Sequence, residues 1–382
     1  MRFTRLKLQN WRNFKKVEIQ LRNRAFVLGP NASGKSNLLD ALRFLRDVAD
    51  PQGGFQRAVN ERGGVSKIRS LHAGEYSSVI IEVDILLGES QSWTYYLEFN
   101  QDKQRRALVN KEQVWRGGEN ILNRPDQYDM QDPNRRVQTA LEQVNANKDF
   151  RELATIFSQL RYLHLVPQLV REPDRSVGKK RDPYGGDFLE QLAEMQKAQP
   201  RTFNSRLRRI EDALRIAVPQ LKDLKLDRDV RGVPHLQGRY LHWRPKGGWQ
   251  TEAQFSDGTL RLLGLLWVML DGTAPLLLEE PELSLHGTVV RYLPALMAKL
   301  GRRTGRQIIV STHSADLLLD TGIPLEEIVL LSPTSKGTQV ITADDDEQIL
   351  ALVEGGLPVA EAVIPRTAPE RADQLVLALF EN

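Results

Sequence analysis

Three groups of residues carry the types and spacing that chemistry needs. The first is "GPNASGKSN", in which Gly29 and Gly34 stand five apart and Lys35-Ser36 follow directly. An apolar run, "RAFVL", leads into it, and Leu38, Leu42, Leu45 and Ala49 recur behind it at helical spacing. Strand, glycine turn and helix in that order form a cradle for an anion. Glycines let the backbone curl, successive N–H groups point inward, and a helix N-terminus adds positive potential. Lys35 is placed to neutralise β- and γ-phosphates and Ser36 to hold Mg²⁺. The bland alternative is a surface turn with an incidental lysine.

The second group is "APLLLEEPELSLH", residues 274–286, where a short apolar strand ends on adjacent carboxylates. Alternation along a strand gives Glu279 and Glu280 different neighbours. One can reach a magnesium shell while the other orients, or takes a proton from, an attacking water. Acids opening a helix are the alternative, which Pro281 also suits. The third group is "IIVSTHSADLL", a buried strand that ends at Ser311-Thr312 and then His313. Ligands gather at the carboxyl ends of such strands, which puts His313 near a γ-phosphate or a lytic water. A capping or core histidine is the alternative. In "FSDGTLRLLGLL", residues 255–266, Ser256 suits a helix cap, Asp257 the first turn and Gly258 a close approach. That stretch alone reads as a well-capped helix.

The elements that must position these groups follow from periodicity. Residues 2–8 and 17–21 alternate like paired strands with "NWRNF" as the bend, and 78–88 and 92–100 read as a meander. Residues 101–135 are polar and carry no clear pattern, 136–160 read as helix, and "LRYLHLV" as strand. Pro167 to Gly186 is a basic loop before helices over 187–198 and 201–218, the second with Phe203, Leu207, Ile210, Leu214 and Ala217 on one stripe. Strands return over 221–244, then a helix, the strand "PLLLEE", a helix from about Thr288, the strand "QIIVSTH" and a last strand near 327–331. No repeat and no long heptad run is present. The division expected is 1–167 and 256–345 as two parts of one lobe, 168–255 as an inserted helical and β lobe, and 346–382 as a helical tail.

The bulk composition narrows the classes. The 382 residues are 41% apolar and 27% charged, with net charge +4 and no cysteine. Thiolate chemistry, disulfides and cysteine-ligated zinc are excluded, and a reducing, cytoplasmic setting fits. The N-terminus is no signal peptide, and the longest apolar runs fall short of the roughly 20 residues that span a bilayer. His235 and His242 read as strand residues rather than zinc ligands.

Taken together, "GPNASGKSN", "FSDGT", "LLLEEPELSLH" and "STHS" resemble, in that order, the ATP-binding-cassette ATPases, and within them the RecF/SMC/OLD-like branch of stand-alone ATPases. "NWRNF" is similar to the Asn-Phe-Arg-Asn stretch common there. The likeness covers both ends of the chain and is poor over 50–250. It implies an α/β fold: an ABC-type P-loop NTPase head, a mixed-sheet core with an inserted helical lobe. It implies ATP and Mg²⁺ as cofactors and ATP hydrolysis as the activity.

Carried over, Gly29, Pro30, Asn31, Ala32, Ser33, Gly34, Lys35 and Ser36 are the Walker A loop, with Asn37 beside it. Glu279 takes the Walker B position and Glu280 that of the catalytic glutamate; Leu283 to His286 match the D-loop and His313 the switch histidine. Ser256, Asp257, Gly258 and Thr259 stand where the signature lies, which in that family contacts a γ-phosphate held by a second subunit. A head-to-tail homodimer follows. Glu279 stands for the usual aspartate, keeping the charge on a longer arm. Asp257 and Thr259 depart from transporter signatures, and Asp257 is expected to face away from phosphate while Ser256 and Gly258 make contact. Gln168 is the candidate magnesium-sensing glutamine and Arg12 a candidate phosphate contact.

What is coupled to the nucleotide stays open between two classes. One is a DNA-associated motor or clamp in repair or defence against foreign DNA. Arg201, Arg208 and Arg215, with "GKKR" at 178–181, offer double-stranded DNA a basic face, though Glu211 and Asp212 also make it an ordinary solvated one. The other is a nucleotide-gated scaffold for a separately encoded effector such as a nuclease. "LVEGGLPVA" at 352–360 is similar to the opening of a TOPRIM domain, but too little chain follows and it reads as a helix end.

Overall fold

The computed structural model describes residues 1–50, 52–74, 77–88, 90–172, 182–241, 248–368 and 374. The "GKKR" run and His242 lie outside the described residues. Two compact units emerge: Met1–Leu160 with Ala274–Leu277 and Pro294–Asn382, and Arg161–Thr273 with Leu278–Leu293.

The first unit holds two sheets. One is antiparallel, in the order Phe14–Gln20, Arg2–Trp11, Val79–Leu87, Gln91–Gln101, Ala107–Arg116, Glu119–Arg124. Its alternation sorts the two faces. Leu6, Leu8, Ile81, Val83, Tyr95, Leu97 and Phe99 are buried. On the other face Arg5 pairs with Asp84 at 2.6 Å and with Glu82, and Lys7 reaches Glu82 at 3.1 Å. The helix Lys35–Ala49 contributes Phe44, whose ring lies 5.4 Å from Trp11 and 5.6 Å from Phe99. Ring pairs at such spacing add about 0.5–1.5 kcal/mol beyond their burial.

The second sheet has Arg24–Leu28 at its centre. Ile308–Ser311 runs parallel on one side and Ile328–Thr334 parallel on the other, with Gly337–Thr342 antiparallel beyond. All five residues of the central strand are buried. Parallel strands with both faces covered read as continuous apolar runs, and "AFVL" does. Arg24 is the exception. Its guanidinium donates to the carbonyls of Pro294 and Gly322 and pairs with Glu327 at 2.7 Å.

The second unit packs Phe188–Ala198, Pro200–Ala217 and Asp257–Met269 with a three-stranded sheet of Leu221–Arg228, Pro234–Tyr240 and Trp249–Thr251. The expected stripe of Phe203, Leu207, Ile210 and Leu214 is buried, against Trp267 and Leu236 among others. Each such side chain contributes about 1.5–3 kcal/mol on burial. Arg201, Arg208 and Arg215 lie exposed on the opposite side of that helix, and Arg215 pairs with Glu211 and Asp212.

Three local expectations are corrected. Residues 136–160 are α-helical only over Arg151–Gln159, with short 3-10 turns at Pro133–Val137 and Lys148–Phe150. Ahead of it, the amides of Ala140 and Leu141 donate to the buried Glu112 carboxylate at 2.7 and 3.0 Å, and that of Thr139 to Glu142 at 2.7 Å. Carboxylates, not helix carbonyls, satisfy these groups. The patternless 101–135 region contains a hairpin turning at Gly117-Gly118. The bend in "NWRNF" is only Arg12-Asn13, because Asn10 and Trp11 complete one strand and Phe14 begins the next.

Candidate functional site

The expected residues fall into two groups, one in each unit. In the first unit the chain leaves the central strand at Leu28 and turns through Ala32, with φ 63°, and Gly34, with φ 100°. The helix then starts at Lys35. Its cap residue, Gly34, supplies no side-chain acceptor and its first turn holds no acid. The leading amides of a helix need an acceptor from outside when no cap provides one.

The loop itself is tightly supported. Asn13 donates from Nδ2 to the Ser33 carbonyl at 2.7 Å, and the Thr338 hydroxyl donates to the same oxygen at 2.9 Å. Asn37 donates to Asn13 Oδ1 at 2.8 Å, and the Trp11 indole to the Asn37 carbonyl at 2.8 Å. A Cβ on Gly34 would come within 2.2 Å of Asn13 Nδ2, so glycine is required there for space as well as for conformation. The Lys35 side chain is buried, and Nζ donates back to the carbonyls of Gly29 and Pro30 at 2.9 and 3.2 Å. Ser33 Oγ is fully enclosed and has no hydrogen-bond partner. Pro30, Asn31, Ala32 and Ser36 rim the turn with partial or full exposure. An uncapped helix end, a glycine a methyl cannot replace, an unpartnered buried hydroxyl and a lysine folded into the turn together fit a polyphosphate.

His313 belongs to this group by strand register. Ser311 stands opposite Val27, and the Thr312 amide donates to the Val27 carbonyl at 3.0 Å, which brings His313 to the sheet end where the loop begins. Ser311 and Thr312 are fully buried and His313 is exposed. Arg12 points elsewhere. It has φ 52°, donates to the Lys67 carbonyl at 3.0 Å and faces Asp40 at 3.7 Å. Arg43 and Arg62 also bind Asp40, both at 2.8 Å. Burial pushes the Asp40 carboxyl up, but the attraction of Arg62 and Arg43 more than reverses it, and it titrates below its ordinary value.

The strand Leu276–Glu279 starts in the first unit and ends in the second, where Leu278 is fully buried and Glu279 and Glu280 are half-buried. The Tyr162 hydroxyl, from the strand Arg161–Leu163, donates to Glu279 Oε2. Glu280 has φ 44° and Ser284 φ 62°, so the chain turns sharply on both sides of Pro281–Leu283. Gly258 lies against this turn: a Cβ there would approach the Ser284 carbonyl to 2.5 Å. The expected cap is present, since Ser256 Oγ accepts from the Thr259 amide at 3.2 Å and meets Thr259 Oγ1 at 2.8 Å. Asp257 is held by Arg171 at 2.6 Å. Burial lowers the Arg261 guanidinium, while Asp257, Glu280 and Glu282 act to raise it. Gln168 is exposed in the short helix Pro167–Arg171.

Sequence reasoning missed Asn13, Thr338, Tyr162 and Arg171. Asn13 had a signal, sitting in the two-residue turn of "NWRNF", two strands ahead of the loop. The others had none. His235 lies in its strand and meets Glu252 at 2.7 Å. No group of three or more metal-ligating side chains occurs among the described residues. Magnesium held by one or two carboxylates plus phosphates needs none. Among the described residues no helix is long and apolar enough to cross a membrane.

A family model described as "AAA domain, putative AbiEii toxin, Type IV TA system" matches residues 24–320. A stretch of 67 residues is 40% identical to Endonuclease GajA of Bacillus cereus (strain VD045); it is 18% of this chain and only 12% of that relative's length. Among solved structures, an Smc head bound to the C-terminal winged-helix domain of ScpA superposes with TM-score 0.53 at 15% identity, over 89% of this chain and 97% of that one. The Smc head with an extended coiled coil bound to the C-terminal domain of ScpA, derived from Pyrococcus furiosus, gives 0.50 at 13% identity, over 92% and 99%. At such identity the likeness is one of fold: the α/β head of an ABC-type P-loop NTPase in its SMC-like branch.

Proposed function

We propose that this chain, which belongs to the AAA-domain family matched over residues 24–320, binds ATP with Mg²⁺ and hydrolyses it as two copies close head to tail. The observation that carries the reading is the Gly29–Ser36 turn, with Lys35 Nζ drawn onto the loop's own carbonyls and Ser33 Oγ buried without a partner. Backbone N–H groups of the Gly29–Asn37 stretch, all but Pro30, wrap the phosphates, and Lys35 exchanges carbonyl oxygens for phosphate oxygens. Ser36 and Glu279, with Gln168 through water, would hold the metal, which supplies charge neutralisation on the leaving phosphates. Glu280 orients the attacking water and accepts its proton, and His313 steadies the γ-phosphate end. Ser256, Gly258 and Thr259 of one copy close over the nucleotide of the other.

The coupled task we favour is DNA repair or defence against foreign DNA, with the face of Arg201, Arg208 and Arg215 on duplex DNA. A second reading has its own support: the curated relative is an endonuclease, and this chain matches a small part of it. In that reading the chain gates a separately encoded effector by its nucleotide state, with little turnover. The test is ATP hydrolysis with and without duplex DNA, beside light scattering of Glu280→Gln with ATP. DNA-stimulated turnover supports the first reading, and slow, DNA-indifferent turnover with a stable dimer the second. A Glu280→Gln protein that stays monomeric with saturating ATP and Mg²⁺ rules out the closed pair.

A further inference from the structure

An acid in the middle of Ser256–Thr259 is at odds with contact to a triphosphate. The carboxylate of Asp257 is 41% exposed on the first turn of the helix, beside the Ser256 cap. A like charge there repels an incoming phosphate, and like-charge juxtaposition at an interface works against association. The simplest way out would turn Asp257 away from the ligand face. A cation that pairs with Asp257 is a second way, and Arg171 is one.

Arg171 closes the short helix Pro167–Arg171, and its side chain is 21% exposed, more covered than its partner. One nitrogen, Nη2, donates to Asp257 Oδ1 at 2.6 Å and to the Phe255 carbonyl at 2.7 Å. Those acceptors flank Ser256, so the guanidinium straddles the cap. Arg261, one turn along the same helix, feels Asp257, Glu280 and Glu282 together. Arg171 meets Asp257, the carboxylate nearest the cap, directly.

We propose that Arg171 is a positioning residue for the closed pair: by neutralising Asp257 beside the Ser256 cap, it lets Ser256–Thr259 accept the γ-phosphate of a nucleotide held by a second copy. This rests on the ATP-driven pairing proposed above. Arg171 shares its short helix with Gln168, so the element that carries the candidate metal-sensing glutamine also carries this charge.

Charge and scaffold roles separate by rescue. Arg171→Ala, Asp257→Asn and the double variant are made in the Glu280→Gln background, and the dimer dissociation constant is measured by analytical ultracentrifugation with saturating ATP and Mg²⁺. Arg171→Ala is expected to weaken the dimer about tenfold or more, and Asp257→Asn added to it to restore pairing to within about threefold. Undiminished pairing in Arg171→Ala overturns the proposal. So does a double variant as weak as Arg171→Ala, since the loss would then come from the tie to Phe255 or from the guanidinium itself. A Glu280→Gln parent that stays monomeric overturns the functional reading and this inference with it; a parent that pairs while the rescue fails overturns this inference alone.

Discussion

The hydroxyl of Tyr162 donates to the carboxylate of Glu279, so the first of the two adjacent acids is held by a neighbouring strand. Glutamate has one more rotatable bond than the aspartate usual at this position. A hydrogen bond to one oxygen removes much of that freedom and sets where the carboxylate points. Groups that orient metal ligands in this way commonly change metal affinity about 10–100-fold when lost. Tyr162→Phe should therefore raise the Mg²⁺ concentration for half-maximal binding of a fluorescent ATP analogue by about tenfold. In a Glu279→Asp background, where the shorter arm falls away from Tyr162, the same change should have little further effect. An unaltered Mg²⁺ midpoint in Tyr162→Phe would remove Tyr162 from the site.

Gly34→Ala places a methyl within 2.2 Å of Asn13 Nδ2 at a backbone φ of 100°. Both effects oppose the native loop, and the change should cost about 1–3 kcal/mol together with nucleotide binding. Adding Asn13→Ala relieves the contact but keeps the backbone strain and strips a donor from the Ser33 carbonyl. The double variant should recover only part of the urea midpoint. Full recovery would show that the φ of Gly34 carries no cost.

The expected dependence on pH comes from Asp40. Its folded value lies below the ordinary 3.8, so its contribution is present above that value and lost as pH falls through the folded one. Asp40→Asn takes from Arg62, whose side chain is 3% exposed, one of its two carboxylates and leaves it Asp47 at 2.8 Å, so the cost near neutrality should fall below the about 3–5 kcal/mol of a buried charge stripped of every partner. Stability curves of parent and variant should approach one another as pH falls below the ordinary 3.8 and the parent's carboxyl protonates. A constant gap between them down to the acid transition would refute the assignment.

Gly258→Ala drives a methyl to 2.5 Å from the Ser284 carbonyl, a backbone atom that cannot rotate aside. A loss of about 1–3 kcal/mol in denaturant unfolding is expected. Hydrogen exchange should rise at Leu283 and Leu285, whose amides donate to Glu280 and Glu282 at 3.2 and 3.0 Å. Exchange confined to the helix itself would argue that the turn yields without loosening.

The central strand, the loop and the helix behind it were legible because each obeys a local rule: an apolar run, glycines flanking a lysine, and leucines at helical spacing. The capped helix at Ser256 and the stripe from Phe203 to Leu214 were legible for the same reason. Other features depended on distant partners. Thr338 reaches Ser33 across 305 positions, and no local pattern marks it. The region before Arg151 has helical composition, yet Glu112 and Glu142 capture its amides. The hairpin at Gly117-Gly118 could have been read, since alternating runs joined by two glycines are a turn signal. Arg171 and Tyr162 lie in segments too short for periodicity to speak.

Gln307 is fully buried, and its side chain accepts from the Phe3 amide and donates to the carbonyls of Phe3 and Arg22. Its own carbonyl accepts from the Leu276 amide at 2.9 Å. A single residue is thus shared by the antiparallel sheet and by the sheet that carries the glycine loop. Neither sheet can part from it without stranding polar groups in a dry interior. The two should therefore melt in concert, as one cooperative block.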